Sequence, residues 1–198
     1  LIHKLESRMG YALLALVFTV GAVWAGITIG APSLAKLAAE KLPDSVEETL
    51  GVQTLATLDK VYFSPSKLDE AKQKEVSATF ERINRSLKRD KKIELVFRHG
   101  DKIGANALAL PSGTVIVTDE LVNLAKNQEE LFAVLSHEAG HILHHHPLRG
   151  WLQDSMVALI VATIASDASS LSVLAAGLPT ALLNAKHSRE FETEADDF

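Results

Sequence analysis

The chain has 198 residues, a formal net charge of −5 and no cysteine. The acidic balance argues against nucleic acid as a partner, and the missing cysteines exclude disulfides and thiolate metal sites. This length suits a single domain with a sizeable core beyond one membrane anchor.

No charged residue occurs between Met9 and Ala35, and Gly10 to Ala31 offers 22 mostly apolar positions. As a helix they would span roughly 33 Å, about the thickness of a bilayer core, so a transmembrane helix is expected over 10–31. A cleaved signal peptide is the rival reading, although the apolar part is long for that role. The chain opens at Leu1 rather than Met, which suggests that residues precede it. Lys4 and Arg8 lie before the span and mixed charges follow it, so the positive-inside rule puts residues 1–9 in the cytoplasm and the rest outside. Pro32 is expected to end the span. An amphipathic neck then reaches Leu42, and Asp44 to Ser66 reads as a lead-in with little regular structure, so that 32–66 forms one connecting region.

From Ser66 a helix is predicted to about Asp90, with Leu68, Ala71, Val76, Phe80, Ile83 and Leu87 as its buried stripe. Ile93 to Arg98 alternates as a strand does. Ala105 to Leu110 and Thr114 to Thr118 are β-prone runs joined by Pro111-Ser112-Gly113, a turn signal, and read as a hairpin. The order of helix, strands and further helices predicts an α+β fold, mostly helical with a small β-sheet.

The next segment carries chemistry. His137-Glu138-Ala139-Gly140-His141 has the H-E-x-x-H spacing of zinc metalloproteases. It lies inside a predicted helix that opens with Asn127 to Glu130 and carries Leu131, Val134, Leu135 and Ala139 at helical spacing. Residues i and i+4 share a helix face, so His137 and His141 can present two imidazole nitrogens to one ion. Glu138 would then act as general base on a water that the ion activates, passing the proton to the leaving amine.

Spacing also bears on a third ligand. A metzincin would need Gly where His144 stands and His where Pro147 stands, so that class fails. A gluzincin takes a Glu from a second helix, and Glu192 with Asp196 one turn later offers that arrangement, Asp196 orienting an imidazole. Taken alone, the same acidic segment reads equally well as a solvated helix face. His144, His145 and His146 are expected to extend the motif helix as exposed imidazoles near its C-terminal dipole. The apolar runs Met156 to Ala165 and Leu171 to Ala185 are each too short or too interrupted to span a bilayer, and are read as two core helices packing the motif helix. Ser188 is a candidate N-cap for the helix that follows.

His137-Glu138-Ala139-Gly140-His141, followed by Ser188-Arg189-Glu190-Phe191-Glu192-Thr193-Glu194-Ala195-Asp196, resembles the S-R-x-x-E-x-x-A-D pattern of peptidase family M48, which includes HtpX-type quality-control proteases and CAAX prenyl proteases. Asn106 to Thr118 is similar to that family's N-A-x-A-x-P-x-G strand pair. The resemblance covers about residues 60 to 198 and implies one Zn²⁺ per chain held by His137, His141 and Glu192, with Glu138 as general base and Asp196 in support. It also favours the hairpin edge, Asn106, Ala107, Leu108 and Ala109, as the place where an extended substrate pairs. Arg189 matches the pattern and is expected to pair with an acidic group that fixes the two helices. Family members continue past this point with a further His, so the metalloprotease domain, 67–198, is expected to run on beyond Phe198, and the group stabilising the oxyanion stays unassigned. The resulting expectation is a single-pass zinc endopeptidase of the bacterial inner membrane, its catalytic domain periplasmic, acting on envelope proteins or peptides in quality control. The competing class is a membrane-tethered binding or chaperone-like module with a structural zinc. Glu138 separates the two, because a structural site has no use for a carboxylate there.

Overall fold

A computed structural model describes residues 2–87, 92–165 and 189–197. Helix α1 (Ile2–Ala25) runs through a widened turn at Gly26–Gly30 into α2 (Ala31–Ala39), and Arg8–Ala39 is a stretch long and apolar enough to cross a membrane. Tyr11, Leu14, Val17 and Phe18 of this stretch are exposed, as lipid-facing side chains would be. The expectation that Pro32 ends the helix is corrected. Pro32 supplies no N–H and its ring presses on the carbonyl four residues back, and the wide turn just before it absorbs both defects without breaking the rod. Helix α2 then turns Ala31, Ala35 and Ala39 inward, and these small side chains let it pack closely along α7 (His146–Ala165).

The irregular lead-in is also corrected. Residues 44–61 form α3 (Asp44–Val61), with Asp44 and Glu47 in the first turn, where the helix dipole favours negative charge. Its buried face is Glu47, Gly51, Thr54 and Leu58, at helical spacing but mostly small or polar, so a search for apolar periodicity passes over it. Gly51 is required by packing: a Cβ there would fall 2.3 Å from the Cβ of Ser112.

Helix α4 (Glu70–Ser86) starts later than predicted because Asp69 caps it, accepting from the Lys72 N–H at 2.7 Å. Residues 66–68 stay outside the helix, since buried Asp119 accepts from Ser66 Oγ at 2.6 Å and the Lys67 N–H at 2.7 Å. Strands β1 (Ser64–Pro65), β2 (Glu94–His99), β3 (Ala107–Leu110) and β4 (Thr114–Thr118) form one sheet in the order β1-β2-β4-β3. The pair β2 and β4 is parallel and the other two pairs are antiparallel. The predicted hairpin is present as β3 and β4, turning at Gly113 with φ of 78°. Strand β4 is central and wholly buried: Val115 and Val117 face α4 and α6 (Gln128–Leu143), while Ile116 faces the cluster of Leu58, Phe63, Leu108 and Leu110. Beside β4 is the short helix α5 (Asp119–Leu124). The architecture is α+β and mostly helical around a small mixed sheet, as the element order predicts.

Helix α6 is capped by Asn127, whose side chain accepts from the Glu130 N–H, while Glu130 reaches back to the Lys126 N–H. It does not continue through the three histidines. It ends at Leu143, His145 takes a left-handed backbone with φ of 53°, and α7 begins at His146. The apolar run 156–165 is the second half of α7, burying Ala158 and Ala162 and leaving Leu159, Val161 and Ile164 exposed. It is therefore one-sided, packed along α2 as well as α6, and not a core helix dedicated to the motif helix. The second apolar run, 171–185, and the Ser188 cap lie outside the described residues. The last described helix is α8 (Arg189–Asp196), which packs on α6.

Candidate metal centre

Helices α6 and α8 bring three side chains to one point, with a fourth, Asp196, behind one of them. His137 and His141 project from the same face of α6, their Nε2 atoms 3.1 Å apart. Glu192 of α8 places Oε2 at 3.3 Å from His137 Nε2 and Oε1 at 3.8 Å from His141 Nε2. Asp196, one turn further along α8, lies 2.8 Å from His137 through its Oδ1 and the imidazole Nδ1. The approach depends on the two smallest residues at the crossing, since a Cβ at Gly140 would lie 2.8 Å from the Ala195 carbonyl oxygen.

Whether zinc fits is a question about donor atoms. One ligand atom from each of His137, His141 and Glu192 lies within 4.8 Å of the others. Ligands about 2.0–2.1 Å from a tetrahedral ion stand about 3.3 Å from one another, close to the separations found. Each histidine has its Nδ1 engaged elsewhere, which leaves both Nε2 atoms turned toward the common point. Two imidazoles and one carboxylate form the three-protein-ligand set of a catalytic zinc site, with a fourth position left over. The residues fit.

Glu138 sits beside this set. The Ala109 N–H on β3 is turned toward its carboxylate. Burial pushes the carboxyl up to about 7, while the His137 imidazole and the Ala109 N–H pull it down and Glu192 adds to the rise. A carboxyl near neutrality can both take and return a proton.

The edge strand β3 has two kinds of backbone group. The Asn106 carbonyl accepts from the Thr118 N–H at 3.0 Å, and the Asn106 N–H donates to Thr118 Oγ1 at 2.8 Å, so this residue is tied inward. In an antiparallel ladder the pairs alternate, which turns Leu108 toward β4 as well and leaves Ala107 and Ala109 pointing outward. Of those outward groups, the Ala109 N–H is the one turned toward Glu138.

A further set of residues was not legible in the sequence. His146 is buried, not exposed, at 1% accessibility. Its Nδ1 lies 2.9 Å from His141 Nδ1 and its Nε2 lies 2.7 Å from Glu194 Oε2. Arg149 Nη1 donates to the same Glu194 oxygen at 2.6 Å, and Lys36 of α2 reaches Glu194 Oε1 at 3.3 Å. Phe191 stacks on the His146 ring, centroids 4.3 Å apart, and the Arg149 guanidinium lies over its ring. Burial is the main force lowering His146 to about 4, against the pull of Glu194, so the ring is neutral near pH 7. For Glu194 burial works upward, but hydrogen bonds from His146, Arg149 and Lys36 and the charge of Arg149 hold the carboxyl down at about 2. Ion pairs between α7 and α8 come from Arg149, with Glu194 and Glu190. Arg149 is buried at the junction of the two helices, whereas Arg189 is on the exposed face of α8. The motif helix is not continuous through the histidines: the turn at His145 resets the phase and swings His146 inward. His145 itself pairs with Glu47 of α3 at 2.6 Å, while His144 stays exposed. His144, His146 and Glu194 also cluster, but Arg149 already supplies the positive charge there.

A sequence model of peptidase family M48 matches residues 70–198. The chain is 36% identical over 99 residues to Metalloprotease YcaL of Escherichia coli (strain K12), a match covering 47% of this chain and 38% of that protein. It is 28% identical over 129 residues to Mitochondrial metalloendopeptidase OMA1 of Arabidopsis thaliana, covering 58% of this chain and 25% of that protein. The chain thus spans well under half the length of these curated relatives.

Proposed function

This chain belongs to peptidase family M48, and on that premise we propose that it is a membrane-anchored zinc endopeptidase whose metal is held by His137, His141 and Glu192. The observation that carries the reading is the convergence of those three donors beside a half-buried Glu138 whose carboxyl is pushed up to about 7. Zinc, when bound, supplies the Lewis acidity that makes water a nucleophile at neutral pH.

The protein's own groups do the rest. Asp196 accepts from His137 Nδ1 and keeps that ring turned toward the metal position. Glu138 takes a proton from the attacking water onto its carboxylate and delivers it to the departing peptide nitrogen. An extended peptide added to the edge of β3 would find the Ala107 N–H and C=O and the Ala109 C=O facing it, while Asn106 and Leu108 bond inward to β4. Backbone pairing of this kind is tolerant of side chains and suits varied protein substrates.

Arg8–Ala39 supports a membrane anchor, and the packing of α2 along α7 would hold the centre close to the bilayer surface. Lys4 and Arg8 before the span favour a cytoplasmic N-terminus and a periplasmic catalytic domain in a bacterial inner membrane, hence envelope proteins as substrates in quality control. Zinc analysis with casein cleavage on the purified chain tests the proposal. The expected result is one zinc per chain and hydrolysis that stops on chelation and returns with zinc. A chain that binds no zinc, or cleaves equally well without it, would overturn the reading.

A further inference from the structure

We infer that His146, held by Glu194, is a positioning residue that fixes His141 in the tautomer able to present its Nε2 lone pair to the metal position. This rests on the zinc-centre reading above.

A chain of hydrogen bonds links His141 to Glu194 through His146. The two Nδ1 atoms of His141 and His146 face each other at 2.9 Å, and both rings are buried at 1% accessibility. A hydrogen bond between two imidazole nitrogens holds one proton, so one ring donates and the other accepts. Which one is decided at the far side of His146. Its Nε2 lies 2.7 Å from Glu194 Oε2, a carboxylate oxygen that also accepts from Arg149, while Lys36 engages the other oxygen. With two cations on it, that carboxylate has no proton to give, so the His146 Nε2–H must donate. A neutral imidazole protonated on Nε2 has its lone pair on Nδ1. His141 therefore donates from Nδ1, and its Nε2 carries the ring's lone pair, 3.1 Å from His137 Nε2.

The His146 ring is clamped so that it cannot turn away. Phe191 stacks on it with an interplanar angle of 5°, and the left-handed turn at His145 sets the direction of the chain entering α7. The two histidine ligands are thus oriented by different means. Asp196, an exposed carboxylate, serves His137 directly, and a buried imidazole backed by Glu194 serves His141. Helix α8 consequently contributes three carboxylates, Glu192 at the metal position, Asp196 on His137 and Glu194 at the end of the relay. Lys36 extends that relay to the helix that leaves the membrane.

Nitrogen-15 NMR of histidine-labelled full chain in detergent micelles, without metal, reads the tautomer directly, His141 being assigned with a His141→Gln sample. The wild type is expected to show His141 protonated on Nδ1, and His146→Leu to show it released to the other tautomer. Zinc affinity, measured by competition with a chromophoric chelator, should fall roughly 10–100-fold in His146→Leu. His146→Asn keeps an acceptor oxygen near the place of Nδ1 and should recover most of that loss, which a merely space-filling role would not predict. An unchanged His141 tautomer in His146→Leu, or equal loss of affinity in the Leu and Asn variants, would overturn the inference. If the tautomer responds as expected but the wild type takes up no zinc, the positioning stands and the zinc reading is what fails.

Discussion

Gly140 and Ala195 are in van der Waals contact where α6 crosses α8: a Cβ built on Gly140 would sit 2.8 Å from the Ala195 carbonyl oxygen and 3.1 Å from its Cα. Each helix uses the same offsets around this point. His137 lies three residues before Gly140 and His141 one after it; Glu192 lies three before Ala195 and Asp196 one after. The closeness of the crossing thus sets whether the three candidate ligands can meet with Asp196 behind His137.

A methyl group at this contact should separate the helices, because the obstructing atoms are backbone and cannot rotate aside. Gly140→Ala is expected to cost about 1–3 kcal/mol of stability, as overpacking of a tight interior does. Zinc affinity should fall with it. Thermal unfolding and metal content of the purified variant check both, and a variant that melts and binds zinc as the wild type does would refute the crossing argument.

Glu138→Gln keeps the size of the side chain and removes its ability to accept a proton. Peptide hydrolysis should drop by roughly 10²–10⁴-fold, the usual contribution of a general base, with zinc stoichiometry unchanged. Persistent casein cleavage in this variant would remove Glu138 from the proton-transfer role.

Three glutamates lie on α8, and only Glu192 faces both His137 and His141. Glu190 instead reaches Arg149 at 3.4 Å. Glu192→Ala should therefore lose most bound zinc on dialysis, while Glu190→Ala retains it. Equal zinc content in the two variants would argue against the third-ligand assignment.

Ala107→Pro tests how substrate is held. Proline at an edge position leaves the ladder to β4 intact, because the group it deletes points outward. The expected change is a higher KM for extended peptides with zinc content unaffected. A KM equal to that of the wild type would mean that the substrate does not pair with this N–H.

Much of the fold was legible because its elements repeat apolar residues at a regular period. Helices α4 and α6 carry such stripes, and the hairpin of β3 and β4 is marked by two β-prone runs around Pro111, Ser112 and Gly113. Helix α3 was not legible, since the face it buries is Glu47, Gly51 and Thr54 before a single Leu58. Its burial depends on the turn at Ser112, more than fifty residues away, which admits only a glycine opposite it. The α1–α2 junction went unread for a different reason: proline normally stops a helix, and nothing local announces that a wide turn will accommodate it.

The sequence by itself determined which residues could serve as ligands and base, because helical periodicity places His137, Glu138 and His141 within one turn and Glu192 with Asp196 on one face. These are local relationships, dictated by 3.6 residues per turn. Only the tertiary structure decided how the two helices approach, which carboxylate of α8 turns to which imidazole, and that His146 stands buried behind His141 with Glu194, Arg149 and Lys36 behind it in turn. Those partners come from α2, α7 and α8, far apart in the chain, and a single left-handed residue at His145 redirects the backbone between two of the histidines. Local spacing cannot report contacts that exist only after distant helices have packed.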